Sequence, residues 1–311
     1  KFRRRFWIFG EVIPLLPRVI KFKNLEYLAL ANDSLNKAPI RTLKKNDKLK
    51  VLILNRNPIT ATEQEWEKLQ GLKVLNINKA GLAYFDPAIY NLTSLEELQL
   101  LENDITVIPE GISGLKNLKK LSFYKNEIEQ LPPDFFRLPE LLAVDLYYNK
   151  IERVPKNVNQ AKKLEVLFLS HNRLFDVPEE IGELTHLEEL YLHHNRLSVL
   201  PESISNLKKL EVLRINENYL TYFPKSILEL KNLRDLDVNH NSIEHIPAEI
   251  GDFEHLRLFT FEYNKIDFQS PENKSFLEAV YQLGKRGVVC KPSVSGKEYV
   301  DNEGKKLDLD L

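Results

Sequence analysis

The sequence contains a single cysteine, Cys290, and no stretch close to 18 consecutive apolar residues. One cysteine cannot form an intrachain disulfide, so the fold is predicted to be disulfide-free. The lack of a long apolar run argues against a transmembrane helix. A glycine-rich phosphate loop and an HExxH metal motif are also missing. We therefore predict no catalytic residues, no metal and no cofactor.

Charge is unevenly distributed along the chain. The net charge is −1, but the first 50 residues contain 13 Lys/Arg and 4 Asp/Glu, a net charge of +9. A basic end can attract anionic partners or lie near an anionic membrane, although a solvated cap is the simpler interpretation. At outward positions, acidic and basic residues are about equally frequent. We therefore predict no basic track and no nucleic-acid partner.

A phrase that opens with leucine recurs every 23 residues. An earlier copy begins at Leu25, one residue further away than the others. The regular openings are Leu49, Leu72, Leu95, Leu118, Leu141, Leu164, Leu187, Leu210, Leu233 and Leu256. Equal spacing over so many copies indicates one repeat array that shares a continuous core, rather than separate globular domains.

Each copy combines a short strand with a short helical segment, as residues 187–207 illustrate. Leu190 and Leu192 alternate with Tyr191 and His193, a pattern that predicts a strand with one buried face. The second half spaces its apolar residues three to four apart, which is typical of one or two helical turns. Successive strands are predicted to be parallel because every coil repeats the same path.

An asparagine follows the strand in nearly every copy. Its amide offers both donors and an acceptor, so an inward amide can satisfy turn backbone groups that would each cost about 1–3 kcal/mol if left unpaired. The predicted ladder is Asn57, Asn103, Asn126, Asn149, Asn172, Asn195, Asn218, Asn241 and Asn264. Asp33 and Ala80 interrupt it. Alanine offers no hydrogen-bonding group, so the third full copy is predicted to be irregular.

A proline precedes the helical turn in most copies, where its missing N–H costs little and its fixed φ starts the turn. These prolines are Pro39, Pro109, Pro132, Pro155, Pro178, Pro201, Pro224 and Pro247. In the second and third copies Thr62-Glu63 and Phe85-Asp86 replace the apolar–proline pair, and Trp66 takes the core position that follows.

The phrases LxxLxLxxNxL and LPxxIxxL resemble the 23-residue class of the leucine-rich-repeat family, over about residues 3–268. The resemblance implies an α/β fold: a right-handed, horseshoe-shaped solenoid with a parallel concave β-sheet and short helical or 3-10 segments on the convex side. Bacterial surface and effector proteins use this class, as do intracellular scaffolds of the Ras-suppressor and Scribble groups. It therefore implies a protein partner without identifying it.

Three parts are predicted along the chain. Residues 1–24 form an N-terminal cap, a degenerate copy with Phe6 and Ile8 in strand positions. Residues 25–269 form eleven repeats, and residues 270–311 form a C-terminal cap. Both caps are expected to cover the open ends of the repeat core.

The C-terminal cap is predicted to contain a helix and a β-hairpin. Ser270 and Pro271 are typical of a helix start, and Gly284 is a suitable helix end. Residues 298–307 are typical of a hairpin with its turn at residues 302–304. An independent binding module in this segment is the alternative.

Strand alternation places a group of aromatic and charged side chains on the concave face. Exposed aromatics and arginine dominate protein interfaces, although aromatic residues favour strands of any kind. The predicted binding patch consists of Tyr124, Tyr147, Tyr148, Phe168, Tyr191, His193, Arg214 and Asp237. The patch becomes acidic towards its C-terminal side, so a protein partner with an apolar anchor and nearby basic residues would suit it.

Other functions stay open at this stage. One is a bacterial cell-surface or host-interaction protein. Another is a metal-dependent activity through His171, His193, His194 and Glu217, and a third is a membrane dock at the basic N-terminal end. Cys290 is interpreted as a packed small residue rather than a nucleophile. The sequence does not decide between an exported bacterial and a cytoplasmic setting, and it leaves the oligomeric state open.

Overall fold

The structure is a computed structural model that describes residues 5–9, 24–36, 39–43, 46–59, 66–291, 299–300 and 306–307. Most of the predicted N-terminal cap, outside residues 5–9 and 24, lies beyond these residues. The chain divides into two compact units. The first contains residues 1–151 and 160–164, and the second contains residues 152–159 and 165–311.

The first unit contains seven parallel strands, hydrogen-bonded in chain order. They are β1 (Arg5–Phe9), β2 (Tyr27–Ala31), β3 (Val51–Ile53), β4 (Val74–Asn76), β5 (Glu97–Gln99), β6 (Lys120–Ser122) and β7 (Ala143–Asp145). Phe6 pairs with Leu28, and Ile8 pairs with Leu30. Both therefore hold the strand positions that the repeat pattern predicts.

The second unit contains six parallel strands in chain order and a separate antiparallel hairpin. The parallel strands are β8 (Val166–Phe168), β9 (Glu189–Tyr191), β10 (Val212–Arg214), β11 (Asp235–Asp237), β12 (Leu258–Thr260) and β13 (Val289–Lys291). The hairpin strands are β14 (Tyr299–Val300) and β15 (Lys306–Leu307). The predicted turn at residues 302–304 lies outside the described residues.

Short helical segments return the chain from the end of one strand to the start of the next. One is α-helical, α1 (Ile40–Leu43). The others are 3-10 segments: η1 (Trp66–Leu69), η2 (Pro87–Asn91), η3 (Ile112–Gly114), η4 (Lys156–Gln160), η5 (Glu179–Glu183), η6 (Glu202–Asn206), η7 (Lys225–Glu229) and η8 (Ala248–Asp252). Parallel strands joined by such segments confirm the predicted α/β solenoid fold.

In η5 to η8 the repeat proline stands at the N-cap of its 3-10 segment, one position earlier than the first helical residue. Pro201 has φ −66° and ψ 145°, and its carbonyl accepts the first hydrogen bond, from Ile204 N at 3.1 Å. The proline thus fixes the backbone that enters the turn, and its missing N–H falls outside the hydrogen bonds of the segment. Where the proline is replaced, Asp86 caps η2 and accepts a hydrogen bond from Trp66 Nε1 at 3.1 Å.

The ladder asparagines bond to the backbone of two neighbouring coils. Asn195 Oδ1 accepts a hydrogen bond from Leu174 N at 3.0 Å, in the preceding coil. Its Nδ2 donates to Leu169 O, in the same preceding coil, and to Leu192 O in its own, both at 3.0 Å. The same three bonds are formed by Asn57, Asn126, Asn149, Asn218, Asn241 and Asn264. Each amide therefore ties one turn to the next.

The residue before each ladder asparagine adopts the left-handed conformation, which costs a non-glycine residue about 1–2 kcal/mol. These residues are Arg56, Glu102, Lys125, Tyr148, His171, His194, Glu217, His240 and Tyr263, with φ between 48° and 57°. The amide that follows holds this backbone. Asn195 Nδ2, for example, also contacts His193 O at 3.3 Å, across the left-handed residue.

The irregularity predicted at Ala80 is confirmed, and the preceding turn is altered as well. Ladder amides serve mainly the turn of the preceding coil, so the side chain that Ala80 lacks would have accepted the N–H of Ile59. That N–H bonds instead to Asn57 O at 2.8 Å, within its own turn. The turn that contains Ala80 is also irregular, because Gly81 adopts a second left-handed conformation with φ 65°. Asn103 Oδ1 accepts hydrogen bonds from both Ala80 N and Leu82 N in this turn.

A helix and an added strand follow the last repeat. Ser270 Oγ accepts a hydrogen bond from Glu272 N at 3.3 Å, at the start of η9 (Pro271–Asn273), and η9 leads into α2 (Lys274–Lys285). The helix passes Gly284, which was predicted to end it, and Gly287 takes the left-handed position with φ 83°. The chain then forms β13, a strand that the repeat pattern did not predict. Among the described residues, no helix is both long and apolar enough to span a bilayer.

Removing one ladder amide should destabilise the fold. We expect Asn195→Ala to lower the free energy of unfolding by about 2–3 kcal/mol, because it leaves several buried backbone groups unpaired. Urea denaturation of the full chain measures this. The matched control is Asn232→Ala, which removes an exposed amide bonded to Lys208 O and should change stability by less than about 0.5 kcal/mol. Equal effects of the two substitutions would contradict the ladder's role.

Gly182 is predicted to tolerate no side chain. A Cβ at this position would lie 2.3 Å from Ser203 O, a backbone atom of the next coil. Gly182→Ala should therefore force adjacent 3-10 segments apart and cost about 1–3 kcal/mol in thermal or urea denaturation. At Gly114 the nearest atom would be Tyr90 O at 3.5 Å, so Gly114→Ala should be nearly neutral. A neutral Gly182→Ala would show that the coils can separate freely.

Candidate functional site

The strand alternation divides buried from outward side chains within each coil. In β9, Leu190 is fully buried, whereas Glu189 and Tyr191 are only partly covered. We call the sheet face that carries Glu189 and Tyr191 the outward face. In the second unit, one row of this face consists of Phe168, Tyr191, Arg214 and Asp237, which are direct partners on successive strands.

Tyr191 is held between two neighbours in this row. The ring of Phe168 stacks on it with centroids 4.6 Å apart, and the Arg214 guanidinium lies 5.9 Å from its centroid. The Tyr191 hydroxyl donates to Glu189 Oε2 at 2.7 Å. Burial and the Glu189 carboxylate raise the pKa of Tyr191, so the hydroxyl is a fixed neutral donor. The arrangement presents a half-buried aromatic side chain in one orientation.

The charged residues of the row differ in their pairing. Arg214 Nη2 bonds to Asp235 Oδ2 at 2.6 Å. Asp237 forms no ion pair among the described residues; its Oδ1 accepts a backbone hydrogen bond from Asn239 N at 3.0 Å, and the Thr260 side chain also stabilises the carboxylate. Burial raises the pKa of Asp237 despite these interactions. The outward face of the second unit thus becomes acidic after Arg214.

His193 lies beside Tyr191, with ring centroids 6.4 Å apart. Its Nδ1 shares a hydrogen bond of 2.7 Å with Ser170 Oγ, and this contact leaves Ser170 fully buried although its position is outward. Burial, followed by the nearby charges of His171, His194 and Arg214, lowers the pKa of His193 to about 4. The imidazole is therefore neutral at physiological pH.

The first unit contains a group of three tyrosines. Tyr124 and Tyr147 are stacked with centroids 5.7 Å apart, and Tyr148 meets both rings edge-on, at 5.9 Å and 4.5 Å. Burial and the neighbouring tyrosines raise the pKa of Tyr147 to about 12. Asp145 lies next to them and accepts hydrogen bonds from Ser122 Oγ at 2.9 Å and Tyr147 N at 3.1 Å. The predicted patch thus consists of two groups, one in each unit.

The histidines proposed as metal ligands do not form a metal site. His171 and His194 stack face to face with centroids 3.8 Å apart, so their ring nitrogens do not converge on one point. His194 Nδ1 is already bonded to Glu217 Oε2 at 2.7 Å. No group of three His, Cys, Asp or Glu side chains could hold a metal ion in the part of the chain that the structure describes. The metal hypothesis is therefore wrong for these residues.

Cys290 is buried and pairs with Phe259 across β12 and β13. Burial raises the pKa of its thiol to about 11. The thiol is protonated at neutral pH, and a protonated thiol is a poor nucleophile. Its environment is that of a packed small side chain.

Strand alternation did not predict a group of exposed apolar side chains in the turns of the repeats. Nine large apolar side chains are exposed among the described residues. Eight of them lie in the turns of the repeats, from one residue before the ladder position to four residues after it. They are Tyr84, Val107, Tyr148, Phe175, Val199, Tyr219, Tyr222 and Tyr263. We call this part of each coil the ladder flank. A count of apolar residues at turn positions of the repeat would have revealed it.

His193 should make stability depend on pH. Its folded pKa lies below the usual value of 6.5, so the unfolded chain binds this proton more tightly. The stability contribution is complete above about pH 6.5 and is lost as the pH falls towards 4. We expect a loss of about 1–2 kcal/mol, less than the full shift implies because solvent screens a half-buried ring.

Urea denaturation between pH 7 and pH 4.5 measures this loss, and His193→Gln should reduce its slope. The matched control is His255→Gln, at an exposed histidine, which should leave the slope unchanged. An unchanged slope in His193→Gln would refute the assignment.

Comparison with known proteins identifies the family. A family model described as a leucine-rich repeat region matches residues 156–286, and one described as a leucine rich repeat matches residues 116–174. No curated protein is significantly similar to the sequence.

Several solved structures share the fold. An internalin from Listeria monocytogenes has 20% identity and a TM-score of 0.76, over 88% of this chain and 75% of the internalin chain. The plant peptide hormone receptor RGFR1, in complex with RGF2, has 22% identity and a TM-score of 0.67, over 90% and 49%. A chain of the Drosophila Toll–Spätzle complex has 22% identity and a TM-score of 0.81, over 96% and 42%.

This chain spans less than half of the two receptor-complex chains. At these identities the likeness concerns the fold alone. Together with the two matching family models, it shows that this chain belongs to the leucine-rich-repeat family.

Proposed function

We propose that this protein is a non-enzymatic scaffold that binds another protein through the outward face of its sheet. The observation that carries the proposal is the environment of Tyr191. Its ring is stacked on Phe168, faced by Arg214 and fixed through its hydroxyl by Glu189. A half-buried aromatic side chain held in this way is ready to contact a partner.

Preorganisation is the physical reason that such a surface binds well. Ordering a mobile side chain at an interface costs about 0.5–1.5 kcal/mol, and a side chain that is already fixed avoids most of this cost. Tyrosine and arginine are also the residue types that dominate binding energy at interfaces. The tyrosines of the first unit provide a second preorganised surface of the same chemistry.

Proteins of the same fold support a protein partner. The solved structures include a peptide hormone receptor in complex with RGF2 and the Toll–Spätzle complex. Both are complexes of a repeat protein fold with another molecule. Transfer of this role to the present chain is part of the proposal.

A bacterial cell-surface or host-interaction role is a finer version of the same function. The internalin structure supports it only as a likeness of fold, at 20% identity. The binding mechanism would be the same in either setting. A secretion signal encoded in the same reading frame would support this version.

The proposal predicts that a single added charge on the outward face weakens binding. We expect Tyr191→Glu or Tyr147→Glu to weaken the affinity for the partner at least about ten-fold, because each replaces a fixed aromatic contact with a solvated carboxylate. Affinity capture from native extract identifies the partner. Titration calorimetry with that partner then measures each variant.

Thr185→Glu is the matched control, since Thr185 is exposed beyond η5 and away from the outward face. It should bind like the unmodified protein, and circular dichroism should show that all three variants are folded. Binding that survives both tyrosine substitutions would refute the proposal. Loss of that binding on Tyr222→Ser would then move the site to the ladder flank.

A further inference from the structure

Two carboxylates of the outward face stand without a cation. Asp145 in the first unit and Asp237 in the second occupy the same position of the repeat, at the ends of β7 and β11. Both are half-buried. Within the described residues, neither one forms an ion pair, whereas other carboxylates such as those of Glu96 and Glu211 do.

The hydrogen bonds at these carboxylates come from uncharged groups, both at the end of the same strand and on a neighbouring strand, such as Ser122 Oγ, which donates to Asp145 at 2.9 Å. Asp237 accepts the N–H of Asn239 at 3.0 Å, and Asp145 accepts the N–H of Tyr147 at 3.1 Å. These bonds fix the direction of each carboxylate but do not neutralise it. Burial raises the pKa of both groups, which shows that the charged form is poorly solvated in the free chain.

The arginine next to Asp237 in the row, Arg214, forms its ion pair with another residue. Arg214 bonds to Asp235 at 2.6 Å and faces the ring of Tyr191. The next cation of the same row, Lys291, is separated from Asp237 by the intervening strand β12. Arg214 therefore offsets the charge of the partly desolvated Asp237 carboxylate only in part, beside the aromatic group. Removal of charge from water without a counter-ion is unfavourable, and a cation supplied from outside would recover that free energy.

Register fixes the distance between this charge and the aromatic rings. Tyr191 and Asp237 are two strands apart in one row. Neighbouring strands lie about 4.8 Å apart, so their positions are separated by about 10 Å. An apolar side chain on Tyr191 and a cationic side chain on Asp237 could belong to one short segment that crosses the strands.

We infer that the second unit binds a basic protein segment, with a lysine or arginine on Asp237 and an aromatic or aliphatic side chain on Phe168 and Tyr191. The inference rests on the proposed function and adds the chemistry of the partner. Asp145 and the tyrosines of the first unit offer the same pair of contacts. Electrostatic complementarity of this kind selects the partner and fixes its register.

The test uses the full chain and a labelled random copolymer of lysine and tyrosine as the probe, with binding followed by fluorescence anisotropy. Asp237→Asn keeps an oxygen that can accept the N–H of Asn239 and removes only the charge. We expect this substitution to weaken the affinity for the probe about ten-fold. The midpoint of unfolding should stay unchanged or rise. A positioning role in the fold alone would lower the midpoint instead.

Glu254→Gln is the matched control, because it removes one negative charge from an exposed residue outside the outward face. It should change probe affinity less than two-fold. Equal effects of Asp237→Asn and Glu254→Gln would overturn the inference, as would failure of the unmodified chain to bind the probe. Comparable binding of a glutamate–tyrosine copolymer, or of an oligonucleotide, would overturn it as well.

The outcome is separable from that of the proposed function. If Tyr191→Glu releases the captured partner and Asp237→Asn does not, the outward face is the binding surface but its partner is not recognised through a cation. If Asp237→Asn, Tyr191→Glu and Tyr147→Glu all leave it bound, the proposed function itself fails.

Discussion

The hydrogen bonds of the ladder asparagine are the interaction on which the rest of the structure depends. Each coil must leave its strand through a buried turn, where backbone groups have no sheet partner and would be costly to bury unpaired. One amide satisfies groups in two successive turns, as Asn195 does for Leu174, Leu169 and Leu192. The same bonds hold the left-handed residue before the asparagine. Where Ala80 breaks the series, the preceding turn closes on itself instead.

The ladder sets the spacing of everything on the sheet. Because it ties each turn to the next, the strands of each unit stay in register, and equivalent residues become neighbours across the strands. Equivalent positions in successive repeats therefore form a row of side chains about 4.8 Å apart. The stacks of Phe168 on Tyr191 and of Tyr124 on Tyr147 are products of this register. A rigid repeat thus builds a binding surface from residues that are far apart in the chain.

Buried polar groups serve different purposes on the two sides of the sheet. On the ladder side, polar atoms are paired and contribute to stability. On the outward face, Asp145, Asp237 and His193 are half-buried in ways that disfavour their charged forms. Such perturbed groups concentrate at functional sites, although structural networks also produce them. Their concentration on the outward face, beside the fixed tyrosines, is consistent with selection for binding at some expense of stability.

The sequence by itself determined the repeat period, the strand and helical halves of each coil, the ladder positions, the helix that starts near Ser270 and the residues that face outward. The helix follows from its local start motif, and the others follow from patterns that recur every 23 residues. Only the tertiary structure decided which outward residues are covered, as Ser170 is by His193, and that His171 and His194 stack rather than converge. It alone revealed β13, the close contact at Gly182, and the fact that Arg214 forms its ion pair with Asp235 rather than with Asp237. These features depend on side-chain conformations and on contacts between different coils, and the periodicity of one coil carries no information about either.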